Sequence, residues 1–181
     1  MKILITGFAG FIGFHAARHF LRRGWEVVGI DNFNDYYSVK LKRDRAAILE
    51  AIPGLSAREL DICDLEGLRG AFAEEKPDVV LNLAAQPGVR YSIDHPFVYE
   101  KTNIEGFLNV LECCRHAAKV PKLVYASSSS VYGGNKKMPF EESDKVDNPV
   151  SLYAATKKAN ELMAHTYSRS EEHTSELQSR I

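Results

Sequence analysis

What this chain lacks narrows what it can be. Its 23 lysines and arginines nearly cancel its 24 aspartates and glutamates, leaving a formal charge of −1. So even a balance gives no electrostatic case for binding nucleic acid or an acidic membrane surface. No apolar run reaches transmembrane length, and no charged-then-apolar leader precedes the first strand-like segment. A soluble, cytoplasmic protein is the expectation. Cysteines are few: Cys63, Cys113 and Cys114 match neither a metal-ligand spacing nor a disulfide framework. Three free thiols suit a reducing cytosol, each as a packing residue, and no metal is expected. No internal repeat or low-complexity stretch stands out before the final residues. The 181 residues make about one domain, long enough to bury a core.

What the chain does have is short β-branched runs alternating with helical stretches. Strands are predicted at Lys2–Thr6, Glu26–Ile30, Ala57–Leu60, Val79–Leu83 and Leu123–Ala126. Helices are predicted after Gly13 to about Arg23, and at Lys40–Ala51, Leu65–Glu75, Asn103–Ala118 and Leu152–Tyr167. Pro53-Gly54 and Pro77 punctuate two of the connections. Continuous apolar strands between helices indicate a parallel sheet covered on both faces. The expected fold is α/β, a doubly wound parallel sheet of Rossmann type.

The first strand runs into Gly7-Phe8-Ala9-Gly10-Phe11-Ile12-Gly13, glycines spaced Gly-x-x-Gly-x-x-Gly. Glycines here let the backbone approach a pyrophosphate, which rests on the partial positive charge of the following helix N-terminus. The second strand ends in Asp31, about 20 residues past the glycines, where an acid accepts from an adenosine ribose and repels the extra phosphate of NADP. NAD is therefore the expected cofactor.

Near the other end, Tyr153 and Lys157 stand four apart, on one face of a predicted helix. A free phenol titrates near 10, and moving it to about 7 takes roughly 4 kcal/mol, which a neighbouring ammonium helps to supply. The product is a general base at neutral pH. Such a spacing is common on amphipathic helices; its weight comes from the glycine turn and from the serine run Ser127–Ser130 upstream.

Taken together these motifs resemble the extended short-chain dehydrogenase/reductases, and within them the nucleotide-sugar 4-epimerases acting on UDP-glucuronate. The likeness rests on the three glycines, Asp31-Asn32-Phe33-Asn34-Asp35-Tyr36-Tyr37, Asp61-Ile62, Leu83 through Ser92, Asn103, Tyr125 through Gly133, and Ser151 through Lys157. It covers residues 1–168. It implies Ser128, Tyr153 and Lys157 as the catalytic trio. It implies a cofactor site of Gly7, Gly10, Phe11, Ile12, Gly13, Asp31, Asn32, Asn34, Asp61, Ile62, Leu83, Ala84, Ala85 and Asn103, with Tyr153 and Lys157. For the sugar it implies Gln86, Ser127, Ser128 and Ser129, with Arg90 either a carboxylate or phosphate ligand or a plain surface arginine. In the family's dehydratases an Asp-Glu pair follows the catalytic hydroxyl; here Ser129 and Ser130 stand there and cannot act as carboxylic acids. The implied reaction is 4-epimerisation of a UDP-sugar through a 4-keto intermediate, by a homodimer. A UDP-glucose 4-epimerase, a 4-keto-sugar reductase and a non-catalytic NAD-binding module are the alternatives.

The likeness stops at Arg169, after which residues 169–181 resemble translated sequencing adapter. The expectation is an NAD-binding domain over 1–168, incomplete at its C-terminal side, a non-native tail, and an absent substrate domain. His173, Glu171 and Glu172 receive no role on this reading. A chain of this extent is expected to be inactive alone.

Overall fold

The computed structural model describes residues 1–169. Alternation along β1 (Lys2–Thr6) sets the architecture. Ile3 and Ile5 enter one hydrophobic core while Leu4 enters another on the opposite face. β2 (Glu26–Asp31) divides likewise, Val27 to one face and Val28 and Ile30 to the other. A sheet apolar on both faces must be covered twice. Helices α1 (Phe11–Leu21) and α2 (Val39–Glu50) bring Phe14, Ala17, Leu21, Ala46 and Leu49 to the first face. Helices α3 (Leu65–Glu75) and α6 (Gly106–Arg115) bring Leu68, Phe72, Phe107, Val110 and Leu111 to the second.

With β3 (Leu55–Glu59), β4 (Val79–Asn82) and β5 (Lys122–Tyr125), the five strands are all parallel in the order β3-β2-β1-β4-β5. The order reverses between β1 and β4, and a ligand crevice is expected outside the strand ends at that switch point. The expected doubly wound sheet is present. Thr6 sits at the divergence: its Oγ1 donates to Asn82 Oδ1 at 2.7 Å and accepts from the N–H groups of Leu83 and Ala84. That clasp directs the chain after β4 along the crevice floor.

Several boundaries differ from the sequence expectation. β3 begins two residues early, because its ladder with β2 starts at Val27 opposite Leu55. The helix predicted to start at Asn103 is preceded by short helices α4 (Tyr91–Asp94) and α5 (Pro96–Tyr99) and by a π-helical stretch, Glu100–Glu105, that runs into α6. Wider π turns are characteristic of functional sites, and this one carries Asn103. A 3₁₀ turn (Ser129–Tyr132) takes up the end of the serine run, and α7 (Leu152–Arg169) follows. No described helix is long and apolar enough to cross a membrane. The tail residues Glu171, Glu172 and His173 lie outside the described residues.

Candidate active site

A cleft of about 360 Å³ opens at the switch point. Its walls come from the glycine turn, the end of β2 with the loop into α2, the loops after β3 and β4, Ala126-Ser127 after β5, and Tyr153 and Lys157 of α7.

The glycine turn is held very close. Gly10 N–H donates to Gly7 O at 3.0 Å, and Phe14 N–H to Gly10 O at 3.0 Å, launching α1. A Cβ added at Gly13 would sit 2.1 Å from Gly7 O, so only glycine packs there. The first N–H groups of a helix have no intrahelical partner; here they belong to Phe11, Ile12 and Gly13, which line the cleft, and no acid in that turn offsets their positive end.

Asp31, 6% exposed, is tied into the turn by both oxygens: Oδ2 accepts from Ala9 N–H at 3.2 Å and Oδ1 from Phe33 N–H at 2.8 Å. Across the cleft, Asp61 Oδ1 accepts from Cys63 N–H at 2.8 Å and Oδ2 from Asn32 Nδ2 at 2.9 Å. Burial pushes the Asp61 carboxyl up, but those hydrogen bonds outweigh it and hold it below the usual range. Burial also pushes the Cys63 thiol up to about 12, with the Asp61 charge adding to it, so the thiolate needed for nucleophilic chemistry is not formed.

Tyr153 and Lys157 lie one turn apart on α7, both on the cleft wall. Lys157 is 5% exposed, and its Nζ donates to Ala126 O at 3.0 Å. Burial lowers its ammonium to about 8, which leaves it cationic at neutral pH. Tyr153 is fixed from behind: Ser92 Oγ accepts its backbone N–H at 3.4 Å, and the Tyr99 ring meets its ring at 6.1 Å between centroids. Tyr99 in turn donates its hydroxyl to the carbonyls of Pro87 and Gly88.

Of the residues expected at the site, Gly7, Gly10, Phe11, Ile12, Gly13, Asp31, Asn32, Asn34, Asp61, Ile62, Leu83, Ala84, Ala85, Ser127, Tyr153 and Lys157 line this one cleft. Five do not. Asn103 is 2% exposed and spends its amide on protein: Oδ1 accepts from Gln86 N–H, and Nδ2 donates to Gln86 O and Thr156 Oγ1. It clamps the loop after β4 to α7 from behind, and Gln86 is buried with it. Arg90 is exposed at the start of α4. Ser128 adjoins the wall residue Ser127, its Oγ accepting from Ser130 N–H at 3.2 Å and Ser130 Oγ at 2.9 Å, while Ser129 is exposed. Sequence reasoning gave no site role to Tyr36 and Tyr37, which it used only as marks of the resemblance, and passed over Lys42, Leu60 and Thr102; all five are on the wall. It also passed over Glu161, buried one turn beyond Lys157, which accepts from Ser127 Oγ at 2.7 Å. The helical step Tyr153, Lys157, Glu161 was the signal available for that residue.

Residues 4–176 match the GDP-mannose 4,6 dehydratase family. The chain belongs to this family. Protein CapI of Staphylococcus aureus is 54% identical over 168 residues, covering 93% of this chain and 50% of CapI. UDP-glucuronate 4-epimerase 4 of Arabidopsis thaliana is 53% identical over 167 residues, covering 92% of this chain and 38% of that protein. The solved structure of UDP-glucuronic acid 4-epimerase from Bacillus cereus, in complex with UDP-glucuronic acid and NAD, superposes with a TM-score of 0.85. It is 37% identical, with 94% of this chain and 53% of that one covered. The chain thus spans about half, or less, of the length of these relatives.

Proposed function

We infer that this chain is the cofactor-binding and catalytic half of an NAD-dependent UDP-sugar 4-epimerase whose substrate is UDP-glucuronate and whose product is UDP-galacturonate. The observation that carries the reading is that Tyr153 and Lys157 open into the same cleft as the glycine turn and Asp31. The residues fit a dinucleotide: the glycine turn leaves no room for a Cβ at Gly13, and α1 points its unpaired N–H groups where a pyrophosphate lies. Gly7, Gly10, Phe11, Ile12 and Gly13 would hold the diphosphate, Asp31, Asn32 and Asn34 the adenosine ribose, and Asp61 and Ile62 the adenine. Bound NAD supplies a hydride acceptor at the sugar C4 that returns the hydrogen in the same cycle.

Tyr153, as phenolate, removes the proton from the sugar 4-hydroxyl and gives it back to the 4-keto oxygen after the sugar has turned over. Lys157, cationic at neutral pH, stands one turn along α7 from Tyr153 on the same cleft wall. Both hydrogen bonds recorded at Ser128 Oγ use it as acceptor, so its own hydroxyl remains to donate to the sugar O4. Epimerisation is favoured over the dehydration in the family's name because Ser129 and Ser130 offer no carboxylic acid to expel water. The grip on the nucleotide falls to a second domain of the kind the relatives' greater length allows. Pairing of subunits through α6 and α7, and a cytoplasmic location, complete the reading.

The test uses a chimera joining residues 1–168 to the second half of the Arabidopsis relative, given UDP-glucuronate deuterated at C4. Epimerised product that keeps the label with no added nicotinamide cofactor is expected. Loss of the label to solvent, or a need for added NADH, overturns the reading.

A further inference from the structure

A buried lysine stands beside the acid that sequence reasoning took to exclude NADP. Lys42, on α2, is 7% exposed and lines the cleft. Its Nζ donates to Asn34 O at 3.0 Å and to Asn34 Oδ1 at 2.8 Å. Asp31 Oδ1 lies 3.7 Å from the same nitrogen, an ion pair beyond ordinary hydrogen-bond length. An ammonium carries three N–H donors; with two given to Asn34, the third serves Asp31 or a ligand between them. Burying a lysine is costly without a partner of opposite charge, and Asp31 is that partner. Asp31 is the acid that would repel a 2′-phosphate, and here its charge is offset where a ribose would meet it.

We propose that Lys42 is a cofactor-binding and cofactor-selecting residue, donating to the adenosine ribose oxygens and, by neutralising Asp31, reducing the exclusion of NADP. This rests on the reading of the cleft as a dinucleotide site. Selection between the two cofactors is then set by an Asp31–Lys42 pair rather than by Asp31 alone. A neutral side chain at 42 removes one donor to the ribose, weakening both cofactors. It also uncovers the Asp31 charge, which acts only against the 2′-phosphate and its extra negative charge. Loss of packing or of the Asn34 contacts would lower both affinities by one factor; only the electrostatic role moves their ratio.

The experiment is calorimetric titration of the 181-residue chain with NAD and with NADP, for wild type, K42Q and K42R. Wild type is expected to bind NADP within about thirtyfold of NAD, as an offset acid allows. K42Q should bind NAD about tenfold more weakly and NADP about a hundredfold, widening the ratio, while K42R restores it. Unchanged affinities in K42Q, or equal losses for both cofactors, overturn the role of Lys42 and leave the dinucleotide reading intact. Thousandfold exclusion of NADP by wild type overturns it too, with no variant needed. Wild type that binds neither cofactor overturns both readings.

Discussion

Lys157 is a charge held at the expense of stability. Its ammonium is buried, meets one recorded acceptor in Ala126 O, and is lowered by burial from 10.5 to about 8. The unfolded chain binds this proton with ordinary affinity, so between pH 8 and 10.5 it holds more protons than the folded chain. Stability therefore rises with pH across that window, and below pH 8 the full penalty is present. The shift amounts to about 3 kcal/mol at pH 7 and about 1.4 kcal/mol at pH 9.5. Lys157→Met removes the penalty and forfeits one hydrogen bond worth about 1 kcal/mol. The variant should be about 2 kcal/mol more stable than wild type at pH 7, with the difference nearly gone at pH 9.5. Urea denaturation of both chains at the two pH values measures it. A variant less stable than wild type at pH 7, or a difference that ignores pH, would refute the argument.

Other perturbations reach other parts of the site. Gly13→Ala drives a Cβ into Gly7 O at 2.1 Å, and should cost about 1–3 kcal/mol in urea denaturation and at least about tenfold in NAD affinity by titration. Asn103→Ala strips the clamp between Gln86 and Thr156, leaving buried groups unpaired. A loss of about 2–4 kcal/mol is expected, and a loss below about 0.5 kcal/mol would show the clamp to be idle. Burial pushes Cys63 and Cys113 up to about 12 and 11 and Cys114 higher still. Few of the three thiols should therefore react with a disulfide reagent at pH 8 before denaturation, and all three after it.

The sheet was legible because its signals are local. Ile3, Leu4 and Ile5 form an apolar run with nowhere to go but a two-faced core, and three glycines after such a strand have few other uses. Tyr153 and Lys157 were visible as a helical spacing. Asn103 was visible as a residue but its contacts with Gln86 and Thr156 were not, because they join segments 17 and 53 residues away and leave no mark in hydrophobic periodicity. Lys42 was hidden among Lys40, Arg43 and Arg45 on one polar helix. Only the fold puts it beside Asp31, and a countercharge is a property of two distant segments rather than of either. The chain Tyr36–Tyr91–Tyr99–Tyr153, with ring centroids 5.0, 6.4 and 6.1 Å apart in turn, arises the same way from three separate stretches.

The central claim is that Tyr153 is the base of a 4-epimerase. Turnover of UDP-glucuronate to UDP-galacturonate by the chimera, compared with its Tyr153→Phe variant, tests it most directly. The account predicts conversion by the parent and a rate lowered by about 10²–10⁴ in the variant, with NAD still bound. Equal rates in the two proteins, or a folded, NAD-bound parent that leaves UDP-glucuronate unchanged, would contradict it.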